Sequence, residues 1–264
     1  MYRKRRISAV RVARLPKKFI FVVRNTASGK PAFRYCPAPR IPIFPNIMIK
    51  ILDRQNSILS RYVAQMRDEV TQRDPMRFRR NLERSGEVIA YEISKTLDYK
   101  PQNVVTPLGE AEMMLPADEV VIASILRAGI PMHNGFLNVF DNASNAFVSS
   151  FRKYSKDGTM KIVLEQVTTP DLEGKVLIIV DPMLATGASI ELAYYALLEK
   201  GGVPSHTHLA AVISSADGVE YVQKRLPMDH VTLWTAAVDE EMTVKSYIVP
   251  GIGDPGDLAY GKKL

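Results

Sequence analysis

VLIIVDPMLATGAS, residues 176–189, is an apolar run that stops at a carboxylate and continues through a small-residue loop. Val176, Leu177, Ile178, Ile179 and Val180 have no polar residue among them, the pattern of a strand buried on both faces of a parallel sheet. Asp181 therefore emerges at the strand's carboxyl end, the edge of an open α/β sheet where ligands sit. After Pro182, Met183, Leu184, Ala185, Thr186, Gly187, Ala188 and Ser189, apolar residues return at helical spacing in Ile190, Leu192, Ala193, Leu197 and Leu198. Amides at the start of that helix, with the positive end of its dipole, make an anion site. Gly187 lets backbone come close to a phosphate, Thr186 and Ser189 add hydroxyl donors, and Asp181 suits sugar hydroxyls or a hydrated magnesium ion. The segment by itself leaves open an ordinary βα turn in which Thr186 and Gly187 only cap the helix.

The same unit recurs upstream. Val120, Val121 and Ile122 lead into Ser124, Ile125, Leu126, Arg127, Ala128 and Gly129, and Met132 and Phe136 suggest a helix beyond. Arg127 stands at the mouth of this second loop, where a guanidinium can meet a phosphate bidentately. An exposed arginine, or one paired with a nearby carboxylate, is the alternative. Near the end, YIVPGIGDPGD at 247–257 is a Gly-Pro loop with two carboxylates, expected to be too irregular for a packed element and suited to shaping a pocket. Its glycines 251, 253 and 256 fall in dinucleotide-fingerprint register, but only eight residues follow Gly256, too few for a βαβ unit. No P-loop motif occurs, which argues against an ATPase of that class. His206 and His208 lack a third ligand nearby, so a metal site there is not expected.

Around these loops the periodicity predicts α/β. A helical stripe opens at Met48 and runs through Ile51, Leu52, Ile58, Leu59, Tyr62, Val63, Met66 and Val70, and a second helix starts at Pro75 and continues to Leu97. Strands are expected at 104–108, 119–126, 146–153, 159–166, 175–181, 208–213 and 231–235, alternating with helices as in a mainly parallel sheet. Ser155, Lys156, Asp157 and Gly158 sit between two alternating runs, which predicts a protruding hairpin.

The chain of 264 residues carries a net charge of +7, yet residues 1–47 hold 12 Lys and Arg and no Asp or Glu. The remaining 48–264 are therefore mildly acidic, which argues against nucleic acid as the partner of the body. The expected organisation is a basic, Pro-containing extension over 1–47 and a single domain over 48–264. The extension reads as flexible, dispensable or not native sequence; a targeting or nucleic-acid arm and an oligomer contact are the alternatives. One cysteine excludes an internal disulfide, and no run reaches the roughly 20 apolar residues of a membrane span, so a reducing, cytoplasmic setting is expected.

Taken in order, ILRAG (125–129), VDPMLATGAS (180–189) and YIVPGIGDPGD (247–257) resemble the uracil phosphoribosyltransferase family from about Met48 to Gly261. The single acidic residue before Pro-Met-Leu is that family's version of the phosphoribosyl diphosphate loop, and the last segment is its uracil loop. The resemblance implies a type I phosphoribosyltransferase-like fold: a mainly parallel sheet flanked by helices, with a β-hairpin arm and a C-terminal base-binding loop. It implies transfer of the phosphoribosyl group of 5-phospho-α-D-ribose 1-diphosphate (PRPP) to uracil, giving UMP and diphosphate, with Mg2+ as cofactor.

By position it assigns Asp181 to Ser189 to the ribose 5-phosphate, the ribose hydroxyls and magnesium, the metal held mainly through the diphosphate with water between it and Asp181. Arg127 and the hairpin Arg152 fall to the diphosphate, and these two with Asp181 form the catalytic set. Ile248, Gly253, Asp254 and Pro255 fall to uracil, with Asp254 also near the ribose and acting as a positioning group. A homo-oligomer, dimer or larger, is implied, and activation by GTP stays open. The sequence departs from the family at Ser124 and Pro255, at Ser214–Gly218 and beyond Gly261; Pro255 removes a backbone donor. A related enzyme acting on another base, and a regulatory protein using the basic extension, are the competing readings, separable by a panel of bases and by salt-dependent RNA binding.

Overall fold

The computed structural model describes residues 21–23, 32–34, 48–154 and 160–263. The chain divides into two compact units, Met1–Pro37 and Ala38–Leu264. In the first, β1 (Phe21–Val23) pairs antiparallel with β2 (Ala32–Arg34).

The second unit is built on an eight-stranded sheet. Along the chain come β3 (Met48–Ile51), α1 (Ile58–Arg67), α2 (Pro75–Ser94), β4 (Tyr99–Thr106), β5 (Gly109–Pro116), β6 (Val120–Leu126) and α3 (Gly129–Leu137). They are followed by β7 (Ser144–Tyr154), β8 (Met160–Thr168), β9 (Val176–Val180), β10 (Met183–Leu184), α4 (Ala188–Gly201), β11 (His206–Ser215) and α5 (Ala216–Arg225). β12 (Val231–Asp239), β13 (Glu241–Met242), β14 (Ile248–Val249) and α6 (Pro255–Tyr260) complete it. The sheet order is β3-β12-β11-β9-β6-β7-β8, with β10 added beside β11. Every pairing in it is parallel except β7 with β8.

All five residues of β9 are buried, and they divide between the two faces. Val176, Ile178 and Val180 pack with Leu59 and Met66 of α1, Leu82 and Ile89 of α2, and Phe136 of α3. Leu177 and Ile179 pack with Ile190 and Leu197 of α4 and Val222 of α5. A central strand covered by helices on both sides has no polar face, which is why its sequence shows no alternation.

Three expectations need correction. Met48 opens a strand rather than a helix: β3 pairs with Thr232–Thr235 of β12, and α1 begins only at Ile58, behind Ser57, whose hydroxyl accepts from the Leu59 amide at 3.3 Å. Ile51 and Leu52 lie seven residues before Ile58 and Leu59, two helical turns, so they share a helical phase across a break that periodicity alone does not register. The expected strand at 104–108 is half of a hairpin, in which β4 pairs with β5 around Pro107 and Leu108 as a separate two-stranded sheet. The 247–257 loop is not wholly irregular, because β14 pairs with β13 and Pro255 starts α6.

Candidate functional site

Parallel strands end on one edge, so the carboxyl ends of β6, β9, β11 and β12 bring Arg127, Asp181, Ser215 and Asp239 to a common rim. A cleft of about 340 Å³ opens there. Its lining includes Arg127 and Ala128 after β6, and Asp181, Met183, Leu184, Ala185, Thr186, Gly187 and Ser189 after β9. Gly253, Asp254, Pro255 and Gly256 of the final loop complete it. Three segments far apart in the chain thus face one space.

The 181–189 loop is held by backbone. The Asp181 amide donates to Ala210 O at 3.1 Å, and the Val212 and Ile213 amides both donate to Pro182 O at 3.0 Å. β10 then pairs Met183 and Leu184 with Ile213 and Ser214. Ser215 adds a side-chain tie, donating its hydroxyl to Ala185 O at 2.5 Å while accepting from the Gly218 amide at 2.8 Å. Gly187 precedes α4 at φ +79°, and no side chain caps that helix. A Cβ on Gly187 would stand 2.7 Å from Tyr221 Cδ1 and 3.2 Å from Gly218 O. Tyr221 in turn donates its hydroxyl to Glu191 Oε2 of α4 at 2.5 Å, and burial pushes that hydroxyl's pKa up to about 12.

The final loop has its own anchors. Asp254 Oδ1 accepts from the Gly256 and Asp257 amides at 2.9 and 3.1 Å and so caps α6. Pro255 occupies the first helical turn, where a missing N–H leaves no intrahelical bond unmade, which accounts for proline there. Arg67, the last residue of α1, bonds Asp239 through both terminal nitrogens, at 2.8 and 2.7 Å, and reaches Gly251 O at 3.1 Å. Burial raises the Asp239 pKa, but Arg67 and the Gly251 amide outweigh it and hold the carboxyl below its usual range. Arg79 donates to Ala259 O at 2.7 Å.

Arg127 bridges the two halves, its Nη2 donating to Asp257 Oδ1 at 3.0 Å and to Gly261 O at 3.2 Å. Its buried Nε has no hydrogen-bond partner among the described residues. The arginine is therefore both cleft-lining and ion-paired, combining the two readings its sequence left open.

Three of the anticipated residues do not line the cleft. Pro182 faces β11 through its carbonyl, Ala188 is the first residue of α4, and Ile248 is buried where β14 meets β13. Arg152 lies in β7 opposite Ile162; its side chain, like residues 155–159, falls outside the described set. Ser246 and Lys263 line the cleft from outside the segments expected to form it, and Asp257, Arg67, Asp239 and Ser215 organise it from behind. A local signal existed for Ser215, a helix-capping residue just after an apolar strand. None existed for Arg67 with Asp239, which are 172 residues apart.

His206 and His208 belong elsewhere, at the amino end of β11 and away from the rim. Their rings lie 4.6 Å apart, and Trp234 Nε1 donates to His208 Nδ1 at 3.1 Å.

The sequence model of a family described as uracil phosphoribosyltransferase matches residues 54–262. A uracil phosphoribosyltransferase of Porphyromonas gingivalis is 55% identical over 213 residues, 81% of this chain and 98% of that protein. Another, from Methanothermobacter thermautotrophicus, is 37% identical over 191 residues, 72% of this chain and 86% of that one. Among solved structures, the AQ2163 protein from Aquifex aeolicus superposes with a TM-score of 0.72 at 28% identity, covering 81% of this chain and 98% of that chain. With the matched region containing the strand ends, both anchored loops and the cleft between them, the chain belongs to the uracil phosphoribosyltransferase family.

Proposed function

We propose that this protein transfers the phosphoribosyl group of PRPP to uracil, releasing diphosphate and forming UMP. The observation that carries the reading is the meeting of ILRAG, DPMLATGAS and the final loop in one cleft. Uracil N1 attacks C1 of the ribose as the C1–O bond to diphosphate breaks, with positive charge developing on the sugar and the N1 proton passing to water or to the departing diphosphate. Such a reaction is accelerated by alignment, which contributes roughly 7–11 kcal/mol when reacting atoms are held near contact. The uncapped amides before α4 with Thr186 and Ser189 hold the 5-phosphate, and Arg127 turns from Asp257 to the departing diphosphate. Arg152 on the hairpin closes over the same group and excludes water. The backbone of Gly253 and Pro255, with Ile248 behind them, shapes the uracil pocket. Asp254, with one oxygen committed to α6, positions ribose and base rather than removing a proton.

The carboxylates lining the cleft, Asp181 and Asp254, are hard oxygen donors that fit a hydrated magnesium ion completed by diphosphate oxygens. When bound, Mg2+ supplies charge neutralisation on the diphosphate. Diphosphate release that requires both uracil and Mg2+ and stops in excess EDTA is the expected result. A protein that releases none with uracil, or that prefers another base in a panel, overturns the assignment. Turnover with and without GTP tests the activation that the family resemblance leaves open.

No helix among the described residues is long and apolar enough to cross a membrane. With its single cysteine and polar substrates, the enzyme acts in the cytoplasm. It works as a homo-oligomer: the β4–β5 hairpin exposes Val105, Leu108, Met113 and Met114 on a two-stranded sheet, an arrangement only marginally stable without further packing. Residues 48–264 form the catalytic unit, and the basic extension is dispensable to it.

A further inference from the structure

Neither Arg67 nor Asp239 lines the cleft, yet together they hold the segment that does. Asp239 ends β12 and is 7% exposed; Arg67 ends α1 and is 24% exposed. The two-pronged contact leaves each group a further bond. Arg67 Nη1 donates to Gly251 O, and the Gly251 amide donates to Asp239 Oδ2 at 2.9 Å, so both backbone polar atoms of Gly251 are taken by the ion pair. Gly251 has φ +58°, and a Cβ there would stand 2.2 Å from Ile248 O, so the turn is tight as well as tied. Gly253, Asp254 and Pro255 follow within four residues, facing the cleft.

The other half of the cleft is anchored independently, through β11 to Pro182 O and through Ser215 to Ala185 O. We propose that the Arg67–Asp239 ion pair is a positioning device for the base half of the cleft, setting where Gly253 to Pro255 stand relative to a phosphate half that it does not touch. The pair acts through Gly251, and losing it moves the base-binding backbone while the 181–189 loop stays in place. Charge-assisted, bidentate bonds suit this role because they fix direction as well as distance. Arg79, bound to Ala259 O, still retains α6 when the pair is broken, so the loop shifts without detaching.

The inference rests on the uracil reading, and kinetics separate the two. In Asp239→Asn the KM for uracil is expected to rise about 10-fold or more, the scale on which small misplacements act, while the KM for PRPP, which meets the displaced segment only at Asp254, rises several-fold less. Arg67→Ala should show the same split, and millimolar guanidinium should restore part of its uracil KM by refilling the space between Asp239 and Gly251. Thermal melts accompany each variant. A wild type inactive with uracil overturns the functional reading and this role with it. An active wild type whose variants raise both KM values together, raise neither, or ignore guanidinium overturns the positioning role alone. Variants that fail to fold at all make the pair structural and overturn it equally.

Discussion

Gly187 joins a backbone requirement to a packing requirement. Its φ of +79° disfavours any side chain, and a Cβ would meet both the Tyr221 ring and Gly218 O. Gly187→Ala is therefore expected to lower unfolding free energy by about 1–3 kcal/mol and to raise the KM for PRPP more than that for uracil. Denaturant titration and steady-state kinetics check the two effects. Arg127 supplies charge where the leaving group develops it, so Arg127→Ala should reduce kcat by about 100- to 1000-fold, measured as diphosphate release, with the fold intact. Both residues are legible in the sequence, because a glycine ahead of a helix and a cation after a buried strand are local patterns. That Arg127 is shared with Asp257, 130 positions away, is not.

Among elements, β11 carries a titration far from the chemistry. His208 is buried, accepts from Trp234 and lies against the tilted ring of His206; burial, and then the neighbouring imidazole, push its pKa down to about 3. Unfolded, it returns to about 6.5. Between those values the unfolded chain binds a proton that the folded chain refuses, so stability is lost as pH falls from 6.5, by up to about 1.4 kcal/mol per pH unit. His206, also shifted down by burial, adds in the same direction. Denaturant unfolding at pH 7 and pH 5 should show the loss, and His208→Gln should flatten the slope without abolishing it.

The β4–β5 hairpin is the second element with a consequence. Val105 is 80% and Leu108 100% exposed, so placing glutamate at both should shift the native mass by light scattering toward monomer while the protomer melts as before. Val104 and Val105 mark one strand of this hairpin in the sequence. The other half, rich in Met and Glu, lacks the β-branched residues that mark a strand and becomes one only by pairing.

For the molecule as a whole, residues 48–264 are expected to fold and turn over uracil without the extension, since β3 opens at Met48 and pairs directly with β12. A truncated protein that is insoluble or inactive would show the extension to be part of the enzyme. The α/β alternation, the parallel core, the two strand-loop-helix units and the family are all legible along the chain, because buried strands and glycine turns are written in neighbouring residues. That β3 is an edge strand and that Arg67, Asp239 and Gly251 meet emerge from tertiary structure alone. Those outcomes depend on which distant backbone supplies the missing partner, and no spacing along a chain encodes a contact across 172 residues.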